Sequence, residues 1–231
     1  MDALDDLQVA IIDYEMGNLF SVKRACEYVG LKPIITSDKF QIINSDGVIL
    51  PGVGAFGDAM DSLKRLDLIS PIKELVESGK PFMGVCLGMQ LLLSESEEFG
   101  NHKGLNIIEG SVVRFPFKDK SGQKIKVPQV GWNNIVQPLF RSNDYWSKSP
   151  LKGIKNGEFM YFVHSYYTKP VNNEVVLSNT TYEGTEFCSS ILYKNVFASQ
   201  YHPEKSGLEG LKIYRNWVSI IKKSRGVYCE R

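Results

Sequence analysis

Through the first half of the chain, short apolar runs of strand length alternate with stretches of helical period. This alternation limits the fold more than any other feature. Residues 7–12 (LQVAII) form the first run. Asn18 is placed to cap the helix after it, where Leu19, Val22, Cys26 and Val29 recur on one face. Gly30 suits the position just past that helix. Residues 33–36 and 47–50 read as two further strands. A helix with Met60, Leu63 and Leu66 on one side follows, then one or two helical turns around Ile72, Leu75 and Val76. Residues 81–85 (PFMGV) are a fourth apolar strand, running directly into Cys86 and a helix-like stretch over residues 87–93. Such a pattern predicts an α/β fold with a mostly parallel sheet covered on both faces. Ligands of these sheets sit at the carboxyl ends of the strands. Residues 51–54 and Cys86 occupy two such ends.

The second half is β-rich. Residues 110–115, 124–136, 159–168, 174–178 and 187–200 carry aromatic and β-branched residues punctuated by Gly, Asn and Pro. They predict hairpins and mixed strands. Residues 207–223 close the pattern as an amphipathic helix with Leu211, Tyr214, Val218 and Ile221 on one side. Residues 141–157 read as a long surface loop. With no repeat and no low-complexity linker, residues 1–231 are expected to form one domain, a length that can bury a sizeable core.

A formal net charge of +1 gives too weak a field for a polyanion-binding protein. The short basic clusters at Lys118 and Lys120, and at Lys222, Lys223 and Arg225, read as solvated surface. None of the four cysteines (Cys26, Cys86, Cys188, Cys229) forms a CxxC pair, which argues against a zinc site. No signal peptide or membrane-length apolar stretch stands out, so a cytoplasmic protein with reduced thiols is expected.

The chemistry-bearing residues cluster at strand ends. Gly84-Val85-Cys86-Leu87-Gly88 is a nucleophile-elbow pattern with cysteine in place of serine. A tight strand-to-helix turn points such a side chain outward. The helix start favours a thiolate and offers N–H groups to an oxyanion. The bland alternative is a buried structural thiol. Cys26 on an apolar helical face and Cys188 in a strand read as packing, and Cys229 as part of a frayed tail. Of the three histidines, His102 lies in a polar loop and reads as exposed. His164, in an aromatic strand, reads as structural or pocket-lining. His202 ends an apolar strand, with Glu204 two residues on, close enough to orient the imidazole. The turn at residues 51–54 (PGVG) lacks the Walker lysine and full GxGxxG spacing. It is either a plain loop or a source of N–H groups for an oxyanion, since glycines let a peptide plane turn over at low cost.

These residues together resemble the class I (triad) glutamine amidotransferases, and within them most closely the glutaminase subunits of imidazole glycerol phosphate synthase. Six segments carry the resemblance: Asp13-Tyr14 with Gly17-Asn18 and Ser21-Val22, then residues 50–58 (LPGVGAFGD), 84–92 (GVCLGMQLL), 128–133 (PQVGWN), 162–166 (FVHSY) and 200–206 (QYHPEKS). The resemblance implies a flavodoxin-like three-layer α/β/α fold and a triad of Cys86, His202 and Glu204. It implies an oxyanion hole from the N–H groups of Leu87 and Val53 beside Gly52. It also implies a glutamine pocket lined by Gly54, Gln90, Glu98, Ser165 and Tyr166. Hydrolysis would pass through a cysteine thioester and need no cofactor or metal. The ammonia would go to a separate barrel-shaped cyclase subunit of histidine biosynthesis, in a heterodimer with Lys205 and Trp132 at the interface. Neither nucleic acid nor membrane is an implied partner. Activity would depend on the partner's ligand through residues 51–54, leaving the isolated chain weak. Three other readings are an ammonia source for another amidating enzyme, such as one acting on a surface-polysaccharide sugar, a silent α/β binding module, and a cysteine peptidase or esterase.

Overall fold

The computed structural model describes residues 7–119, 121–142 and 144–226. The expectations for Lys120 and Cys229 lie outside the described residues. The first half runs β1 (Gln8–Ile12), α1 (Leu19–Tyr28), β2 (Lys32–Thr36), α2 (Lys39–Asn44), β3 (Gly47–Leu50), α3 (Phe56–Arg65), α4 (Ile69–Glu77), β4 (Phe82–Val85) and α5 (Leu87–Leu91). The second half continues with β5 (Leu93–Ser96), β6 (His102–Lys103), β7 (Ile108–Arg114), β8 (Gln129–Ile135), β9 (Glu158–His164) and β10 (Tyr166–Pro170). It ends with β11 (Val176–Tyr182), β12 (Thr185–Tyr193), β13 (Val196–Ser199) and α6 (Gly207–Ser224).

One sheet spans both halves, in the order β2-β1-β3-β4-β13-β12-β10-β7-β5-β6, with β11 paired to β12. The strands from β2 through β13 are parallel. β13 turns back antiparallel into β12, and antiparallel pairs carry the sheet on to β7. β8 and β9 form a separate two-stranded sheet. β3, β4 and β13 are buried on both faces, as their apolar composition requires, while the edge strand β2 stays half-exposed. Val9, Ile11, Ile49, Met83 and Phe197 join one cluster with Val22 and Cys26 of α1 and Ile213, Trp217 and Ile221 of α6. Ala10, Ile12, Val48, Leu50, Phe82 and Ala198 alternate to the other side, against Ala59 and Leu63 of α3 and Ile72 of α4. Alternate residues of one strand thus belong to different layers, and the expected three-layer arrangement with a mostly parallel sheet is present.

Asn18 caps α1 by accepting from the Ser21 N–H at 3.3 Å. Gly30 follows it with φ +86°. In the second half the expected segments shift. The run over residues 159–168 breaks at Ser165, so that β9 pairs with β8 while β10 joins the main sheet. The run over 187–200 is a hairpin, turned at Lys194 with φ +52°. Strand structure over 124–136 is confined to β8, and Glu174 lies in a short 3-10 turn, Asn173–Val175, ahead of β11. The segment over 141–157 is not simply a surface loop. Its 3-10 turn Tyr145–Lys148 buries Trp146, whose Nε1–H donates to the Leu177 carbonyl at 2.7 Å, and Leu151 is also buried.

Candidate active site

β4 delivers Cys86 to the carboxyl edge of the sheet, and α5 begins at the next residue. Cys86 has φ +54° and ψ −109°, a strained conformation for a non-glycine residue. Its neighbours make the bend feasible. A side chain at Gly88 would run into the Leu50 carbonyl. One at Gly84 would sit 3.2 Å from the Ala198 Cβ. The Cys86 N–H is tied to the Ser199 carbonyl at 2.7 Å, which anchors the bend to β13. Leu87, the first residue of α5, has no carbonyl of its own helix for its N–H.

β13 ends beside β4 and carries the chain to His202, whose N–H donates to the Tyr161 carbonyl at 2.9 Å. A 3-10 turn, Pro203–Lys205, then brings Glu204 back under the imidazole. His202 Nδ1 and Glu204 Oε1 lie 2.7 Å apart, with side chains 2% and 1% exposed. The carboxylate can only accept, so Nδ1–H donates and Nε2 is left facing away from Glu204. Nε2 makes no hydrogen bond of good geometry among the described residues. Even so, it is electrostatically coupled to the Cys86 sulfur. Burial by itself would lower the His202 pKa. The Cys86 thiolate first, and Glu204 after it, reverse that and raise it to about 10.

In front of Cys86 lies a cavity of about 260 Å³. Val53, Gly54, Leu87, Gln90 and Glu98 line it from the first half of the chain. Pro128, Val163, His164, Ser165 and Tyr166 line it from the second. Glu98 accepts from the Phe56 N–H at 2.7 Å; partial burial raises its pKa, and that hydrogen bond opposes the rise. The Tyr14 hydroxyl donates to the Pro51 carbonyl at 2.6 Å, and a side chain at Gly52 would collide with that hydroxyl. Gly52 thus packs behind the cavity wall rather than lining it.

Of the residues singled out in the sequence, Cys86, Val53, Gly54, Leu87, Gln90, Glu98, Ser165 and Tyr166 line this cavity, and the His202–Glu204 pair stands beside Cys86. Trp132 and Lys205 are not among the cavity-lining residues, and both lie against the Tyr161 ring. Trp132 meets that ring edge-on with 6.2 Å between centres, and the Lys205 Nζ lies 5.9 Å from its centre. Sequence reasoning missed Tyr161, Tyr14, Pro128 and Val163. Tyr161 could have been found as the residue opposite Trp132 across β8 and β9. His164 is buried as well as pocket-lining. Its Nδ1 meets the Tyr166 carbonyl at 2.9 Å, and desolvation lowers its pKa to about 4. His102 is half-buried, packed where a side chain at Gly57 would stand. Cys26 and Cys188 are packing thiols; burial pushes Cys188 up to about 12. No cluster of three or more His, Cys, Asp or Glu side chains suited to a metal occurs among the described residues. No helix among them is long and apolar enough to cross a membrane.

An elbow cysteine beside a carboxylate-held histidine, at a small cavity, is an arrangement suited to thiol-dependent cleavage of an amide. The chain belongs to the class-I glutamine amidotransferase family, whose sequence model matches residues 10–220. Over 211 residues it is 47% identical to the imidazole glycerol phosphate synthase subunit HisH of Syntrophotalea carbinolica, covering 90% of this chain and 98% of that one. The protein of the same name from Aquifex aeolicus is 44% identical over 221 residues, covering 94% and 99%. Among solved structures, a putative GMP synthase component from Thermoplasma acidophilum superposes with a TM-score of 0.68 at 17% identity, covering 97% of this chain and 98% of that one. PurLQS from Thermotoga maritima superposes with a TM-score of 0.67 at 20% identity, covering 93% and 99%. These two share the fold.

Proposed function

We propose that this chain is the glutaminase subunit of an imidazole glycerol phosphate synthase, releasing ammonia from glutamine for a separate cyclase subunit in the cytoplasm. The observation that carries the chemistry is that Cys86, which lines one small cavity, interacts with the imidazole of His202, itself held by Glu204. The names of the relatives carry the choice of acceptor.

Glutamine enters with its side-chain amide toward Cys86 and its charged end toward Glu98, Ser165 and Tyr166. His202 takes the thiol proton, and the sulfur attacks the amide carbon. The carbonyl oxygen becomes an oxyanion, held by the N–H groups of Leu87 and, with residues 51–54 suitably turned, Val53. His202 returns the proton to the departing nitrogen, which leaves as ammonia, and a thioester remains on Cys86. A water, deprotonated by His202, attacks the thioester. Glutamate leaves and the thiol is restored. Glu204 keeps Nδ1 protonated throughout, so Nε2 always faces the reaction.

Exposed Val130, Trp132 and Phe159 on the sheet of β8 and β9 form a face suited to the partner, next to Tyr161 and Lys205. The test measures glutamate formation by the chain alone, with the cyclase, and with the cyclase plus its ligand. The expected result is weak activity alone and a large rise in the complete mixture. Equal rates in all three would overturn the coupling. Failure to co-purify with the cyclase would point to another acceptor.

A further inference from the structure

Behind the nucleophile lies a buried chain of side-chain amides. Gln90 Nε2 lies 2.9 Å from the Tyr166 carbonyl and 3.0 Å from Gln200 Oε1. Gln200 Nε2, in turn, lies 3.7 Å from Cys86 Sγ. Gln200 is completely buried. One backbone carbonyl decides how every amide in the chain points. The Tyr166 oxygen can only accept, so the Gln90 atom beside it is the donor –NH2. The Gln200 atom facing that –NH2 is therefore its oxygen, and the atom facing the sulfur is its own –NH2. The Tyr166 carbonyl fixes the His164 tautomer in the same way, with Nδ1–H donating to it.

The other close neighbour of the sulfur on the substrate side is the Val163 carbonyl at 3.9 Å, an acceptor. It suits a thiol S–H and opposes a thiolate. When Cys86 gives its proton to His202, the imidazolium faces the thiolate, and the Gln200 amide is a second side-chain donor already in place. We propose that Gln200 is a further catalytic residue, whose amide N–H holds the Cys86 thiolate and which Gln90 orients from the substrate-binding wall. A hydrogen bond to a charged acceptor is about twice as strong as a neutral one, so the contact favours the thiolate over the thiol. It weakens when the sulfur becomes a neutral thioester. The same linkage joins the Ser165–Tyr166 wall to the nucleophile through two side chains.

This inference rests on Cys86 being the nucleophile, and the experiment separates the two. In the full-length chain, the rate of Cys86 alkylation by iodoacetamide is followed against pH by peptide mass mapping. Wild type, Gln200→Met and Gln200→Glu are compared. Methionine removes the donor at similar length, and glutamate replaces it with an acceptor. The expected result is an apparent alkylation pKa raised by about one unit in Gln200→Met, or roughly tenfold less thiolate at a fixed pH below it, and raised further in Gln200→Glu. Should Gln200→Met fail to fold, Gln200→Asn, which withdraws the donor by one carbon, is expected to shift the profile in the same direction. Profiles that superimpose on wild type would overturn the proposal, leaving Gln200 with a packing role. Whether alkylation of wild-type Cys86 abolishes glutamate formation separately tests the nucleophile itself.

Discussion

At the residue scale the site depends on two buried histidines treated in opposite ways by their surroundings. His202 is raised to about 10, above the ordinary value of 6.5, because the Cys86 thiolate and Glu204 outweigh its desolvation. Glu204→Gln removes the charge and lets an amide face Nδ1, so the imidazole loses its enforced tautomer. We expect kcat to fall by about 10²- to 10³-fold with KM little changed. A fall confined to KM would contradict a role in chemistry. His164 is lowered to about 4 by burial, with no charged partner to compensate. Its folded-state pKa lies below the unfolded one, so the unfolded chain binds the extra proton. This residue therefore costs stability progressively as pH falls from about 6.5 to 4. The change approaches ~1.4 kcal/mol per pH unit within that window. Denaturant unfolding of His164→Asn against pH should show a shallower acid-side slope than wild type. Identical slopes would place the proton elsewhere.

At the element scale, the elements around residues 141–157 do more than connect. Trp146 fills a pocket against β11 and bonds the Leu177 carbonyl. Trp146→Ala should destabilise the fold by about 3–5 kcal/mol in urea unfolding, and a loss below about 1 kcal/mol would contradict its anchoring role. Sequence reasoning saw a surface loop there, because one tryptophan among polar residues has no period to betray it. Most of the parallel half was legible because β1, β3 and β4 are solid apolar runs; α2, a six-residue helix between β2 and β3, went unread for want of a second apolar turn. The elbow was legible too, where strand, cysteine and helix follow without a loop. Strand ends in the second half were not. β9 and β10 are continuous in residue type, and only the change of partner at Ser165 separates them. β5 and β6 went unread because α5 is only five residues long and leads straight into β5. In the site, motif and spacing pointed to Cys86, to the His202–Glu204 pair and to residues that line the cavity. Tyr14 and the bond from Gln200 to the sulfur depend on contacts across strands far apart in sequence.

At the scale of the whole molecule, the catalytic edge and the aromatic face around Tyr161 adjoin. His202 hangs from the Tyr161 carbonyl, so the surface that would meet the cyclase is one backbone hydrogen bond from the imidazole. Trp132→Ala should weaken association with the cyclase by roughly tenfold or more, as expected for an exposed aromatic anchor. Calorimetric titration checks this, and unchanged affinity would move the interface elsewhere. The most direct test of the central claim is the rate of glutamate formation by wild type and Cys86→Ala, each with the cyclase and its ligand. A loss of at least about 10³-fold in the variant is predicted. Full activity without the sulfur would contradict the account.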